Sequence, residues 1–476
     1  MAFAAIFVVV AIMAWLSAIN PRAALLTAIF LIPWGGLDVD VGLRITAFQL
    51  ALAPLCLVTL LRTTQPGWTP PRIAAGGLLL AMILHGMVWS LLQIGFIPIV
   101  QVGDSALRGP TARASIQVAL FVFNLSPAIL VPLLLRGDAQ LRQALRLYMV
   151  SLIVLALIGW LQIASWYGIG FNPIPVGALS IALGGTDAYI REGQFLFDTL
   201  NIYRMNSFAG EPRNLGTALV LGMLFIQAIA LATRTIPAWR LAILWAFFLA
   251  STAATFSTSA ALTWVIGTAS LLPVMWVFGI RVQRSSASIV AGLLVLVLPI
   301  GLGIVAAEAA GVPVLNLIAE RTLDRIDSNG AVEDFDLAIT DYLRAHPVAA
   351  LTGTGLGNAH LYATPYLDPV FAAYAEGQVF TGKTSVVRIV SELGFIGLAL
   401  FLAWYLWLVI RVRAFTIADS QMIAAVPIAM MTLAVFLATN QVAGEAWTMG
   451  GALAALIAAR QPARHPSRPA ARVLAA

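Results

Sequence analysis

Long apolar runs, separated by short polar stretches, dominate the chain. They cover residues 1–19, 22–35, 44–61, 73–97, 114–135, 145–168, 213–233, 240–256, 261–280, 287–307, 385–410, 421–439 and 447–460. Most approach the ~20 residues that a helix needs to cross a hydrocarbon core. The pattern predicts an all-α polytopic membrane protein with about 12 transmembrane helices. Two runs, 22–35 and 447–460, are short enough to be tilted or re-entrant, so the count is twelve or thirteen. No Lys or Arg precedes the first run, so it lacks the positive start of a signal peptide and is expected to be a retained span.

The longer polar stretches are 98–113, 169–212 and, largest, 308–384. They divide the chain into an N-terminal transmembrane bundle (1–307, including the loop 169–212), a large loop (308–384), C-terminal transmembrane helices (385–460) and a disordered Arg/Pro/Ala tail (461–476). Within the large loop, Phe335, Ile339 and Tyr342 recur at helical spacing against an acidic face, which predicts an amphipathic helix over 332–344. Pro347 should stop it, and Gly353-Thr354-Gly355-Leu356-Gly357 should follow as a flexible loop with a tight turn.

Composition agrees with the pattern. Hydrophobic residues make up 61% of the 476 and charged residues 10%, against about 25% charged in soluble chains. Mean hydropathy is +0.93. The net charge of +6 is spread in short clusters between apolar segments, which does not suit nucleic acid. The only cysteine, Cys56, lies in an apolar run, so an internal disulfide and a Cys-based metal site are excluded.

Charge also orients the chain. Arg22, the connections around Arg62, Arg136, Arg234, Arg281 and Arg411, and the tail from Arg460 hold 16 of the 27 basic residues. Of the 21 acidic residues they hold only Asp138 and Asp419. By the positive-inside rule these segments are cytoplasmic, and the three large polar stretches are exoplasmic.

Candidate chemistry gathers on the exoplasmic side. Arg204, Glu211, Pro212 and Arg213 close the loop 169–212 at the start of an apolar run. Pro212 suits the first turn of a helix, whose free N–H groups could hold a phosphate between the two arginines. The bland alternative is that these arginines snorkel to headgroups. A second group follows the large loop, where Lys383, Thr384, Arg388 and Glu392 enter the next span. Thr384, Arg388 and Glu392 are four apart and share one helix face. A self-neutralising Arg388–Glu392 pair competes there with a cationic cavity wall. Ser257-Thr258-Ser259 and Asn440, Gln441 and Glu445 form weaker polar patches, and such hydroxyls commonly bond back to their own helix. His85, mid-span, is expected to be a hydrogen-bonded core histidine. His346 and His360 lack partners at metal-ligand spacing. The glycine loop at 353–357 lacks the lysine of a P-loop.

These motifs resemble the O-antigen polymerase and ligase superfamily. Arg204-x-x-Ser207-Phe208-x-x-Glu211-Pro212-x-x-Leu215-Gly216 is similar to its exoplasmic motif. So is the loop ending in His346-Pro347 and Gly353–Asn358. Ser391-Glu392-Leu393-Gly394-Phe395-Ile396-Gly397-Leu398 looks like its Glu-Leu-Gly signature. The resemblance spans residues 200–410. It implies a C-type glycosyltransferase architecture in the bacterial inner membrane, with the active site facing the periplasm. The implied donor is an undecaprenyl-pyrophosphate-linked oligosaccharide and the acceptor a growing glycan. Membrane lipids and other polysaccharide-assembly proteins are the implied partners, and no metal, nucleotide or other cofactor is expected. Two departures stand out: Ala260 replaces a family arginine, and Lys383-Thr384 replaces a His-Asn pair. They favour an exopolysaccharide or O-antigen polymerase over a ligase that delivers glycan to lipid A core.

The expected mechanism has Arg204, Arg213, Lys383 and Arg388 binding the pyrophosphate leaving group. Glu211 first, or Glu392 second, takes the proton of the attacking hydroxyl. The rivals are a transporter or flippase for a lipid-linked substrate and a scaffold for polysaccharide export.

Overall fold

The computed structural model describes residues 2–40, 44–65, 73–93, 110–135, 137–170, 194–197, 200–232, 236–280, 305, 308–309, 334–369, 382, 384–416, 422–438 and 444–459. The expected run at 287–307 and the residues Lys383, Asn440 and Gln441 lie almost wholly outside them.

The described chain is helical apart from two hairpins. Helices α1 (Ala2–Ile19) and α2 (Pro21–Leu31) precede the strands β1 (Asp38–Asp40) and β2 (Arg44–Thr46). Then come α3 (Ala47–Thr63), α4 (Gly76–Leu92), α5 (Pro110–Leu125), α6 (Pro127–Leu134) and α7 (Asp138–Ile169). A second hairpin, β3 (Gln194–Phe197) and β4 (Leu200–Tyr203), leads into α8 (Pro212–Ala232), α9 (Ala238–Ala253) and α10 (Thr258–Val277). The large loop contributes α11 (Asp334–Ala345), α12 (Pro347–Thr352) and α13 (Ala359–Ala363). The chain continues with α14 (Ser385–Thr416), α15 (Met422–Ala438) and α16 (Gly444–Ala458). Both hairpins are antiparallel, with Val39 opposite Ile45 and Phe195 opposite Ile202.

Five described segments are long and apolar enough to cross a membrane: Ala114–Leu134, Asp138–Ile169, Pro212–Ala232, Thr258–Val277 and Ser385–Arg413. Shorter apolar helices accompany them, α2, α3, α4 and α9 among these. The protein is therefore all-α in class and compatible with a membrane.

Three runs differ from their expected form. The run 114–135 is divided between α5 and α6 at Ser126, whose dihedrals stay helical (φ −54°, ψ −30°). The division follows from Pro127, which has no N–H to donate to the preceding turn. The run expected at 145–168 begins at Asp138. Asp138 pairs with Arg142 at 2.9 Å, an i,i+4 pair that carries the helix through a stretch read as connection. The third, α14, is broken at Gly394.

Elsewhere local rules hold. Thr46 and Gln49 form a reciprocal capping box at the start of α3, and Pro212 occupies the first position of α8. One large apolar cluster runs through the helices, from Leu25 and Leu52 to Leu221, Trp404 and Leu453. A second, smaller cluster joins α11 to α13 through Ala338, Ile339, Tyr342 and Ala363. The amphipathic helix of the large loop is therefore real, but its acidic face is not wholly solvated. Asp336 is only 1% exposed, and its Oδ2 accepts the backbone N–H of Thr384 at 3.1 Å. That bond ties α11 to the first turn of α14.

Candidate functional site

The site is organised by the break in α14. Gly394 has φ +70° and ψ −178°, a region essentially reserved for glycine. The carbonyls of Ser391, Glu392 and Leu393 therefore lose their partners one turn further along the helix, and each gains a substitute. Ser391 O accepts from Thr354 N at 2.8 Å and Glu392 O from Gly355 N at 3.1 Å. Leu393 O pairs with His85 Nε2 at 2.8 Å. His85 is thus hydrogen-bonded, as its mid-span position predicted, but half-buried rather than in the core.

The glycine loop is the plug in this break. It is buried rather than flexible, because its backbone is held from both sides. Trp89 Nε1 donates to Gly353 O at 2.5 Å, and Ser90 Oγ accepts from Leu356 N at 2.9 Å. Gly353 has φ +88°, and a Cβ there would stand 2.3 Å from the Glu392 carbonyl oxygen.

Beside the break lies a cavity of about 120 Å³. Arg388, Glu392 and Leu393 of α14 line it, with Gln117, Phe121 and Asn124 of α5, Trp447 of α16 and several other apolar side chains. Glu392 is 8% exposed. Its Oε1 faces Arg388 Nε at 3.4 Å but has no hydrogen bond among the described residues. The Gly357 backbone N–H binds the carboxylate. The helix-face spacing of Arg388 and Glu392 thus produces an ion pair, and one carboxylate oxygen retains acceptor capacity toward a ligand.

Asn124 Oδ1 accepts from Gln49 Nε2 at 2.8 Å, which fixes the amide of Asn124 at the cavity wall. Gln117 and Asn124 carried no signal in the sequence, since single amides in an apolar run match no motif. Their separation of seven residues, two helical turns, is the one clue that places them on a common face.

The residues 203–216 form a separate polar segment; none of them lines the cavity. This segment is pinned by its backbone. Met205 N donates to Ala254 O at 3.0 Å and Gly36 N to Phe208 O at 2.8 Å, while Ser207 N donates to Gln162 Oε1 at 2.8 Å. Arg204 Nε donates to Thr255 O at 3.1 Å. Glu211 O accepts from Leu215 N at 3.1 Å, so the residue opens α8 while its side chain stays partly exposed. Arg213, in the first turn, is also partly exposed. Ala260 is fully buried, and a Cβ on Gly216 would lie 2.9 Å from the Ala260 Cβ. That packing has no space for a guanidinium.

Of the weaker patches only Ser257, Thr258, Ser259 and Glu445 fall among the described residues. Ser257 caps α10 by accepting from Ala260 N at 3.3 Å, and Glu445 lies buried in the first turn of α16. Among the described residues no three His, Cys, Asp or Glu side chains gather as metal ligands.

His346 instead stacks on Tyr342, with ring centroids 4.5 Å apart, and Tyr362 and Tyr366 pack against the same ring. Burial first, and then its two tyrosine neighbours, push the Tyr342 phenol up to about 12. A raised acid favours the neutral, folded form below its unfolded value of about 10, and that stability is lost as pH rises through 12. Raising the pH across that window should therefore loosen the α11–α13 cluster. Tyr342→Phe should abolish that part of the pH dependence, measured as amide exchange in α11.

No protein-family model matches the chain, and no curated protein matches it.

Proposed function

We propose that the protein is a glycosyltransferase that polymerises undecaprenyl-pyrophosphate-linked oligosaccharide units at the periplasmic face of the bacterial inner membrane. In this reading it has about 12 spans, and its product is an exopolysaccharide or O-antigen. The observation that carries the reading is the Arg388–Glu392 pair on a broken apolar helix, facing a cavity also lined by two amides. Buried charge in an apolar helix is costly and marks function more often than structure. The resemblance of residues 200–410 to the polymerase and ligase superfamily supplies the reaction class.

In the proposed reaction the acceptor hydroxyl oxygen attacks the anomeric carbon of the donor. The carbon–oxygen bond to pyrophosphate breaks, and the hydroxyl proton passes to a carboxylate. Glu392 fits that role better than Glu211, because its carboxylate is buried beside the cavity, whereas Glu211 is partly exposed and does not line it. Arg388, which lines the cavity, would stabilise the charge on the departing pyrophosphate. A share for Arg204 and Arg213 requires the donor to reach beyond the cavity to the separate segment that holds them, and Lys383 lies outside the described residues.

The transporter reading draws support from the broken helix, since transporters use unwound carbonyls as ion ligands. Here the three released carbonyls already accept from Thr354, Gly355 and His85, which argues against that use. In cells, Arg204→Ala and Arg388→Ala should each cut polymer amount and length at normal expression. Normal polymer from both variants would end the proposed assignment.

A further inference from the structure

The segment after α11 has an unusual composition for a polar loop. No Lys, Arg, Asp or Glu occurs between Arg344 and Asp368. The structure bonds the middle of this segment to α14, through Thr354 and Gly355. Counting about 20 residues back from Ile410, just before Arg411, puts the edge of the hydrocarbon near Ile389. Gly394 then lies about one turn inside, at ~1.5 Å per residue, and the 353–356 backbone is bonded at that level.

Water is scarce at such a depth, so each backbone group needs a partner within the protein. The bonds from Thr354 and Gly355 to the broken helix, and from Trp89 and Ser90 to the loop, provide such partners. The hydroxyl of Thr352 is satisfied within α12, on Val348 O at 2.7 Å.

The outer face of α12 is apolar. Val348 is 70% and Leu351 53% exposed, three residues apart on one face. Leu351 abuts the break, since a Cβ on Gly394 would stand 2.2 Å from the Leu351 carbonyl oxygen. The next residue of α14, Phe395, is itself 55% exposed. The apolar surface therefore continues from α12 onto the outer face of α14, through Leu406 to Ile410. On the α11 side, Tyr342, Tyr362 and Tyr366 cluster together, as aromatic side chains do at the level of headgroups.

From these features we infer that residues 347–357 form a re-entrant element. Its short helix lies in the hydrocarbon of the bilayer leaflet from which α14 starts, and its occupant is lipid. This rests on α14 crossing the membrane, but not on the reaction proposed above.

The test uses Cys56→Ala, which removes the only cysteine, with single cysteines introduced as Val348→Cys, Leu351→Cys, Arg344→Cys and Leu406→Cys. Each is spin-labelled in vesicles of phosphatidylethanolamine and phosphatidylglycerol, and collision with oxygen is compared with collision with a water-soluble nickel chelate. At 348 and 351 the ratio should shift toward oxygen, as at 406, while 344 favours nickel. A water-like ratio at 348 and 351 with a lipid-like ratio at 406 overturns the re-entrant element alone. A water-like ratio at 406 overturns the membrane placement beneath it.

Discussion

Gly394→Ala should unfold at markedly lower temperature than the parent, with a loss of about 3 kcal/mol. The backbone at this position is open to glycine alone, and the new Cβ would meet the Leu351 carbonyl oxygen at 2.2 Å. Neither conflict is relieved by a rotamer change, because both partners are backbone. If α14 instead straightened, the N–H groups of Phe395 and Ile396 would reclaim the Ser391 and Glu392 carbonyls, expelling Thr354 and Gly355. The glycine loop would then hold unpaired backbone groups in an apolar setting. Gly77→Ala is the matched control: it sits in α4 with nothing within 4 Å of a new Cβ. That change should be neutral or stabilising by about 0.5–1 kcal/mol. Tryptophan fluorescence during thermal unfolding in detergent reads both.

Glu392→Gln should reduce glycosyl transfer by about two to four orders of magnitude, the range for losing a general base. Glutamine keeps the shape and the cavity but cannot take the hydroxyl proton. Arg388 would lose its ion-pair partner, so thermal stability should fall modestly. Glu211→Gln is the comparison, since Glu211 is the first carboxylate suggested by the sequence. Its side chain is partly exposed and does not line the cavity. A small effect at 211 with a large one at 392 assigns the base to α14, and the reverse result moves it to the start of α8.

The helical class was legible because long apolar runs must satisfy their backbone groups within themselves, which in a bilayer means a helix. Pro212 as a helix start was legible for a local reason, its missing N–H. The break at Gly394 was hidden. A lone glycine in an apolar run usually stays helical, and only tertiary contact with the 353–357 loop selects its positive φ. Asp336 was misread for a related reason. By periodicity it belongs with the acidic face of α11, but the Thr384 N–H, 48 residues away, draws it inside. The hairpin of β3 and β4 escaped because four-residue strands are too short to show alternation. Gln117 and Asn124 show the limit most clearly: their interest comes from what stands opposite them, and that is a property of packing.

A polymerase of the proposed kind joins lipid-linked glycan units by itself. Purified protein should be incubated with undecaprenyl-pyrophosphate oligosaccharide as the sole substrate, and the products resolved by size. A ladder of regularly increasing length, absent with Glu392→Gln, is the predicted result. Unchanged substrate with wild-type protein, or transfer only after a second acceptor is supplied, would contradict it.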